Sequence, residues 1–304
     1  MRDTFVRTLV ELAKHDSRIE LVTGDLGFGV LKPYWEQCPD QFTNAGIAEQ
    51  NMTSVAAGMA LEGKIVFTYS IGNFPTLRCL EQIRNDCAYH KANVKIVCVG
   101  GGFVYGSLGM SHHATEDIAI MRALPGVAVV CPADLVEAEE AVKAIVDYPG
   151  TVYLRLGRGG EKRIHDKIEN FKIGKAIQVL KGARVAIFST GAIFEEVRET
   201  IPILKEKGIC PTVMTFPTVK PIDRQAIIQC ADSHDLIVTC EEHNLMGGFG
   251  SAVAEVMCSA PHKARLLSIG IKDTYTSDVG NQSYLRKVNR LDAVSIANDI
   301  IEAL

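Results

Sequence analysis

No two of the nine cysteines are spaced as Cys-x-x-Cys, and their number is odd. Several lie inside apolar, strand-like runs: Cys98 in VKIVCVG, Cys131 in VAVVCPAD and Cys240 in LIVTCEEH. This excludes a disulfide scaffold and reads as buried free thiols in a reducing compartment. Long apolar runs are missing as well. The longest, such as Val127 to Cys131, have about a quarter of the ~20 residues a membrane helix needs. Nor does one sign of charge dominate, with 36 acidic residues against 32 Lys plus Arg and a net charge of −4. Beyond short patches such as Arg158 to Arg163 there is no basic cluster to attract a phosphate polymer or an anionic membrane, so neither is expected as a partner. The opening MRDTFVRTLVELAKHD reads as an amphipathic helix and lacks the apolar core of a signal peptide, so a cytoplasmic protein is expected.

The composition that remains is that of an ordinary globular protein, 47% hydrophobic and 22% charged over 304 residues, enough for two domains with a core each. Apolar β-branched runs (IELVTGD, KIVFTYS, NVKIVCVG, GVAVVCPAD, TVYLRLGR) are followed by a second series (RVAIFSTGA, PTVMTF, DLIVTCEEH, RLLSIGI). Segments of helical period separate them, at 47–61, 133–147, 192–207 and 247–258. Near-continuous apolar strands alternating with helices predict an α/β chain of two doubly wound domains, each a mainly parallel sheet flanked by helices. The charge-dense stretch 157–175 is the best linker, which sets the domains at 1–158 and 177–304 with 159–176 between them.

Several short motifs carry nothing. Gly58 to Lys64 begins like a phosphate-binding loop, but Ile65 stands where a hydroxyl is needed and the glycine follows a helical pattern. The glycine clusters 100–102 and 247–250 lack the G-x-G-x-x-G spacing of a dinucleotide site. His112 and His113 are adjacent and cannot share a helix face as metal ligands do. No metal ligand is expected from this chain.

The segment Asn44-Ala-Gly-Ile-Ala-Glu49-Gln-Asn-Met52 places a carboxylate in the first turn of a helix, where the dipole alone favours it. The full string Gly-Ile-x-Glu-Gln-x-Met also resembles the pyrimidine-domain signature of the thiamine-diphosphate enzymes of the transketolase group. The resemblance implies that Glu49 bonds N1′ of the cofactor's aminopyrimidine, and that Phe74, or secondarily Tyr69, stacks on that ring. It implies that His112, in the loop Gly106-Ser-Leu-Gly-Met-Ser-His112-His113, faces the thiazolium and the donor sugar. Arg2 and Arg158 fall on arginines that bind the substrate's terminal anion, and Asp25 on an active-site aspartate at the end of the first strand. The segment Glu241-Glu-His243-Asn-Leu-Met-Gly-Gly-Phe-Gly is similar to the family's C-terminal domain, whose role there is mainly assembly; neither Glu242 nor His243 is nominated as catalytic.

The family's Gly-Asp-Gly and Asn-Asn strings, which hold the diphosphate and Mg²⁺, are both missing. The resemblance covers the last two of a transketolase's three domains. It therefore implies a split enzyme, in which this chain is the C-terminal subunit and an N-terminal partner anchors thiamine diphosphate and Mg²⁺, as an α₂β₂ particle. Leu108 replaces an acceptor-contacting aspartate, while Gly29 and Gly100 stand near phosphate-contacting positions, so the expected substrate is a ketose with an altered pattern, such as a branched sugar phosphate or a sulfosugar. The alternatives are a 2-oxoacid dehydrogenase β subunit, a 1-deoxyxylulose 5-phosphate synthase-like enzyme, and a non-catalytic scaffold.

Overall fold

The computed structural model describes residues 1–304. The chain forms two sheets flanked by helices. The first runs β10-β5-β6-β4-β3-β1-β2, with β1 Ile19–Thr23, β2 Phe42–Asn44, β3 Ile65–Ile71, β4 Val94–Val99, β5 Ala128–Val130, β6 Val152–Leu156 and β10 Thr218–Lys220. The second runs β12-β11-β8-β9-β7, with β7 Ile177–Leu180, β8 Val185–Ser189, β9 Thr212–Thr215, β11 Leu236–Asn244 and β12 Arg265–Ile271. All pairings are parallel except β5 with β10 and β7 with β9, each at an edge. Strands β1, β4, β6 and β8 are buried along their whole length, as parallel strands covered on both faces must be.

The two faces of the first sheet carry different helices. Helices Arg2–Ala13 and Leu135–Asp147 pack on one face with Phe5, Leu9, Phe67, Tyr69 and Val142. Helix Glu49–Leu61 covers the other with Met52 and Ala56 against Val66 and Ile96. Because β1 is followed by β2 on one side and then by β3 on the other, the strand order reverses between β1 and β3. The carboxyl ends of those two strands open a crevice, the usual place for a ligand in an open α/β sheet.

Two features depart from the sequence expectation. Strand β10 comes from the second half of the chain yet closes the edge of the first sheet, Thr218 against Val130. The stretch 159–176 is also less loose than its charge suggests. Asp134 caps helix Leu135–Asp147 and uses its other oxygen to accept the N–H groups of Ile164 and His165 at 2.7 and 3.0 Å. Buried Glu137 accepts from His165 and from Thr215 of β9, at 2.9 and 2.6 Å. These two carboxylates pin both the connection and the second domain onto the first. No helix is long and apolar enough to cross a membrane.

Candidate active site

The crevice gathers loops from the carboxyl ends of consecutive strands. Asp25 follows β1, Glu49 follows β2, Phe74 follows β3, His112 lies in the loop after β4, and Arg158 follows β6. Arg2 opens the helix that leads into β1, so it stands at the same edge of the sheet.

Glu49 begins its helix and is only 5% exposed. Gly24 makes room for it: a Cβ on that glycine would lie 3.4 Å from Glu49 Cγ. Next door, Asp25 takes a left-handed conformation with φ 57°. It is held by Asn44, whose Oδ1 accepts the Asp25 N–H at 3.0 Å while its Nδ2 donates to the Asp25 carboxylate at 2.9 Å. Arg78 Nη1 donates to Glu49 Oε2 at 2.8 Å, and the same guanidinium lies 4.6 Å from the centre of the Phe74 ring. The Arg78 side chain is 48% exposed, so its hold on the carboxylate is shared with water.

From Phe74 the wall continues without a break. The His112 ring meets Phe74 edge-on at 5.2 Å and Tyr105 at 6.4 Å. The Arg158 guanidinium lies 5.4 Å from the centre of Tyr105, within reach of the ring's quadrupole. Burial raises the Tyr105 phenol above its ordinary value, and the charges of Arg2 and Arg158 oppose that rise. Arg2 also borders an open groove with Gly29 and Val30.

Tyr69 is the exception among the sequence candidates. It is 2% exposed and stacks on Phe5 at 6.0 Å, on the face of β3 that holds helix Arg2–Ala13 and away from the helix that Glu49 begins. Residues along a strand alternate faces, and Tyr69 falls on the core side with Phe67. His113 is likewise turned inward, against Phe103, and burial lowers its pKa. Two residues of the wall escape sequence reasoning. Arg78 opens a segment that reads as a plain helix, and Tyr105 leads into a glycine-rich loop; neither has a periodic or motif signal.

The second domain holds the loop that bears Tyr105 and His112. Glu242, near the end of β11, accepts the Phe103 N–H at 2.6 Å and the Arg286 Nε–H at 2.7 Å, and Arg286 Nη2 forms an ion pair with the same oxygen at 2.6 Å. Gln282 donates to both of its oxygens at 3.0 Å. Loop and carboxylate fit so closely that a Cβ at Gly102 would come within 2.6 Å of Glu242 Oε1. Asn73 braces the loop from the other side, donating to the His113 carbonyl at 2.6 Å.

Fold and site define a two-domain α/β enzyme chain whose ligand crevice lies at the switch point of its first sheet. The transketolase pyrimidine binding domain matches residues 1–160, and the transketolase C-terminal domain matches residues 174–295. The chain belongs to the transketolase family, whose enzymes depend on thiamine diphosphate. A putative transketolase C-terminal section from Methanocaldococcus jannaschii is 40% identical, over 100% of this chain and 96% of its own length. One subunit of an apulose-4-phosphate transketolase from Phocaeicola vulgatus is 38% identical over 88% of this chain and 86% of its own. A 6-deoxy-6-sulfo-D-fructose transketolase subunit from a Clostridium species is 35% identical over 97% and 92%. Among solved structures, a split gene transketolase described as an inactive beta4 tetramer superposes with a TM-score of 0.89 at 33% identity, covering 100% of this chain and 97% of that one. A 1-deoxy-D-xylulose-5-phosphate synthase from Caldanaerobacter subterraneus is 32% identical, but the chain spans only 48% of it.

Proposed function

We propose that this chain is the C-terminal subunit of a split, thiamine-diphosphate-dependent transketolase, and that it moves a two-carbon ketol unit from an anionic ketose to an aldose. The observation that carries the reading is the unbroken wall Glu49–Arg78–Phe74–His112–Tyr105–Arg158, which runs from a buried acid to a cation fit for an anion.

The residues fit the aminopyrimidine half of the cofactor. Glu49 is a buried carboxylate with Oε2 committed to Arg78, and Oε1 makes no hydrogen bond within the chain. Beside it stands the half-buried Phe74 ring, suited to stacking on a flat heterocycle. When bound, thiamine diphosphate supplies a nucleophilic thiazolium carbon and an electron sink for carbon–carbon cleavage. Glu49 would hold a proton at N1′ of the pyrimidine, which favours the tautomer able to deprotonate the reactive carbon. His112 would exchange protons with the sugar hydroxyls, work an imidazole can do near neutral pH. Arg2 and Arg158 would fix the terminal anion through the guanidinium fork.

The diphosphate and its Mg²⁺ belong, on this reading, to an N-terminal partner, and two of each chain would form an α₂β₂ particle. The absence of Gly-Asp-Gly and Asn-Asn supports this, as do the names of the relatives, which are subunits. The substrate class follows from the same wall. Leu108 is exposed, Gly29 and Gly100 offer no side chain, and the cations remain. A branched sugar phosphate or a sulfosugar, the kinds of sugar named for two relatives, suits that arrangement better than hydroxyl-by-hydroxyl readout.

The test is Glu49→Ala in the pair reconstituted with its N-terminal subunit. Ketol transfer is expected to fall by at least about 10²-fold, the order lost with a proton-transfer group, while the two subunits still co-purify. Transfer within a few-fold of wild type would contradict the reading.

A further inference from the structure

The Tyr105 ring occupies a place that the sequence reserves for it. Gly100 has φ +96° and no side chain, and a Cβ there would lie 2.3 Å from two ring carbons of Tyr105. The Cδ2–Cε2 edge of the ring therefore abuts residue 100, and the ring fills the space between β4 and the loop that follows it. It cannot easily retreat, because the loop's backbone is pressed against the second domain. A Cβ at Gly102 would strike Glu242, and one at Gly106 would come within 2.4 Å of Leu285. Around this fixed ring stand Arg158 at 5.4 Å and, 6.4 Å away, the His112 ring, with Arg2 at the same edge of the sheet.

We infer that Tyr105 sets the length of ketose that the site accepts, its ring serving as a rigid spacer between the anion-binding guanidiniums of Arg2 and Arg158 and the reacting end of the sugar at His112. The inference rests on the two-carbon transfer proposed above and adds to it a residue that measures the substrate. A ketose anchored by its terminal anion must bring its C2–C3 bond to the His112 end. With the ring on the floor, the chain between the two ends has one path and one span. Removing the ring opens a volume beside the path into which extra carbons can fold. The ring carbons offer no hydrogen bond, so selection acts on span and shape and not on hydroxyl pattern.

The experiment uses the reconstituted pair with xylulose 5-phosphate and sedoheptulose 7-phosphate as donors, and compares kcat/KM for wild type, Tyr105→Leu and Tyr105→Phe. Misfit by a single carbon in a pocket is worth roughly 10- to 200-fold and these donors differ by two, so Tyr105→Leu is expected to raise the ratio of the seven-carbon to the five-carbon donor by about tenfold or more. Tyr105→Phe keeps the spacer, so its ratio should stay within about twofold of wild type. An active Tyr105→Leu pair whose ratio is unchanged, or one whose kcat falls equally on both donors as a merely structural residue would give, overturns the inference. So does a Tyr105→Phe pair whose ratio shifts as far as that of Tyr105→Leu. A wild-type pair inactive on both donors also overturns the inference, and one inactive on a branched sugar phosphate and a sulfosugar as well removes the proposed function with it.

Discussion

Arg286→Met tests whether the second domain positions the reacting loop. The Arg286 side chain is 4% exposed and that of Glu242 is 3% exposed, and their closest N–O distance is 2.6 Å. Replacing the guanidinium with a methionine of similar bulk leaves the Glu242 carboxylate buried with only Gln282 and the Phe103 N–H for company. A buried charge stripped of its partner costs about 3–5 kcal/mol. At about 2–4 °C per kcal/mol for a chain of this order of size, the melting temperature should drop by roughly 6–20 °C in scanning calorimetry. The companion variant Glu242→Leu/Arg286→Met removes the buried pair and leaves only the partly exposed Glu196, which Arg286 also meets at 3.3 Å, without its cation; it should recover most of that loss, since apolar replacement of a buried pair is often neutral or better. It does not restore the acceptor for the Phe103 N–H, so the loop from Gly102 to Ala114 loses its anchor. Stability should therefore return while turnover with the partner subunit stays depressed. A single variant that melts within about 2 °C of wild type would show that the pair is not desolvated as described. A double variant with full kcat would show that the clamp does not position the loop.

Two further outcomes are expected. Lys95, near the start of β4, has no exposed surface and donates to the carbonyls of Tyr148 and Gly150 at 2.6 and 2.9 Å; burial pushes its pKa from 10.5 down to about 7. A base depressed in the folded state loses stability as pH falls from its unfolded to its folded pKa. Relative to Lys95→Met, the wild type should therefore gain up to about 1.4 kcal/mol per pH unit between pH 7 and 10.5, with no difference in slope below pH 7. Denaturant melts across that range check it, and parallel curves for the two proteins would contradict it. Glu49→Gln keeps the side chain's volume and an oxygen for Arg78, so it should melt like wild type yet lose turnover as fully as Glu49→Ala; retained turnover would mean that the carboxyl group's acidity is not used.

The sequence shows the alternation of buried strands and helices because parallel strands covered on both faces are apolar throughout, as in β4 and β8. The site is readable in part. Asp25, Glu49, Phe74, His112 and Arg158 are nominated through the family resemblance, and each follows a strand at the carboxyl edge, where an open α/β sheet offers its loops to ligands. What stays hidden depends on tertiary contact. Strand β10 is three residues long and pairs with a strand far back in the chain. Tyr69 sits one step of strand alternation from the other face of the sheet, and only the docking of helix Arg2–Ala13 decides which face is core. Arg78 and Tyr105 gain their meaning from Glu49, Phe74, His112 and Arg158, which lie next to them in space and not in any sequence pattern. The charged linker looks loose because its partners, Asp134 and Glu137, are tens of residues away.

The central claim is that this chain supplies the acid end of a cofactor site and lacks the end that grips the diphosphate. Calorimetric titration of thiamine diphosphate with Mg²⁺ into the isolated chain, and then into the chain mixed with its N-terminal subunit, tests it most directly. No saturable heat at micromolar cofactor is expected from the chain alone, and a binding isotherm should appear once the partner is present. Micromolar binding by the isolated chain, with turnover of a ketose, would contradict it.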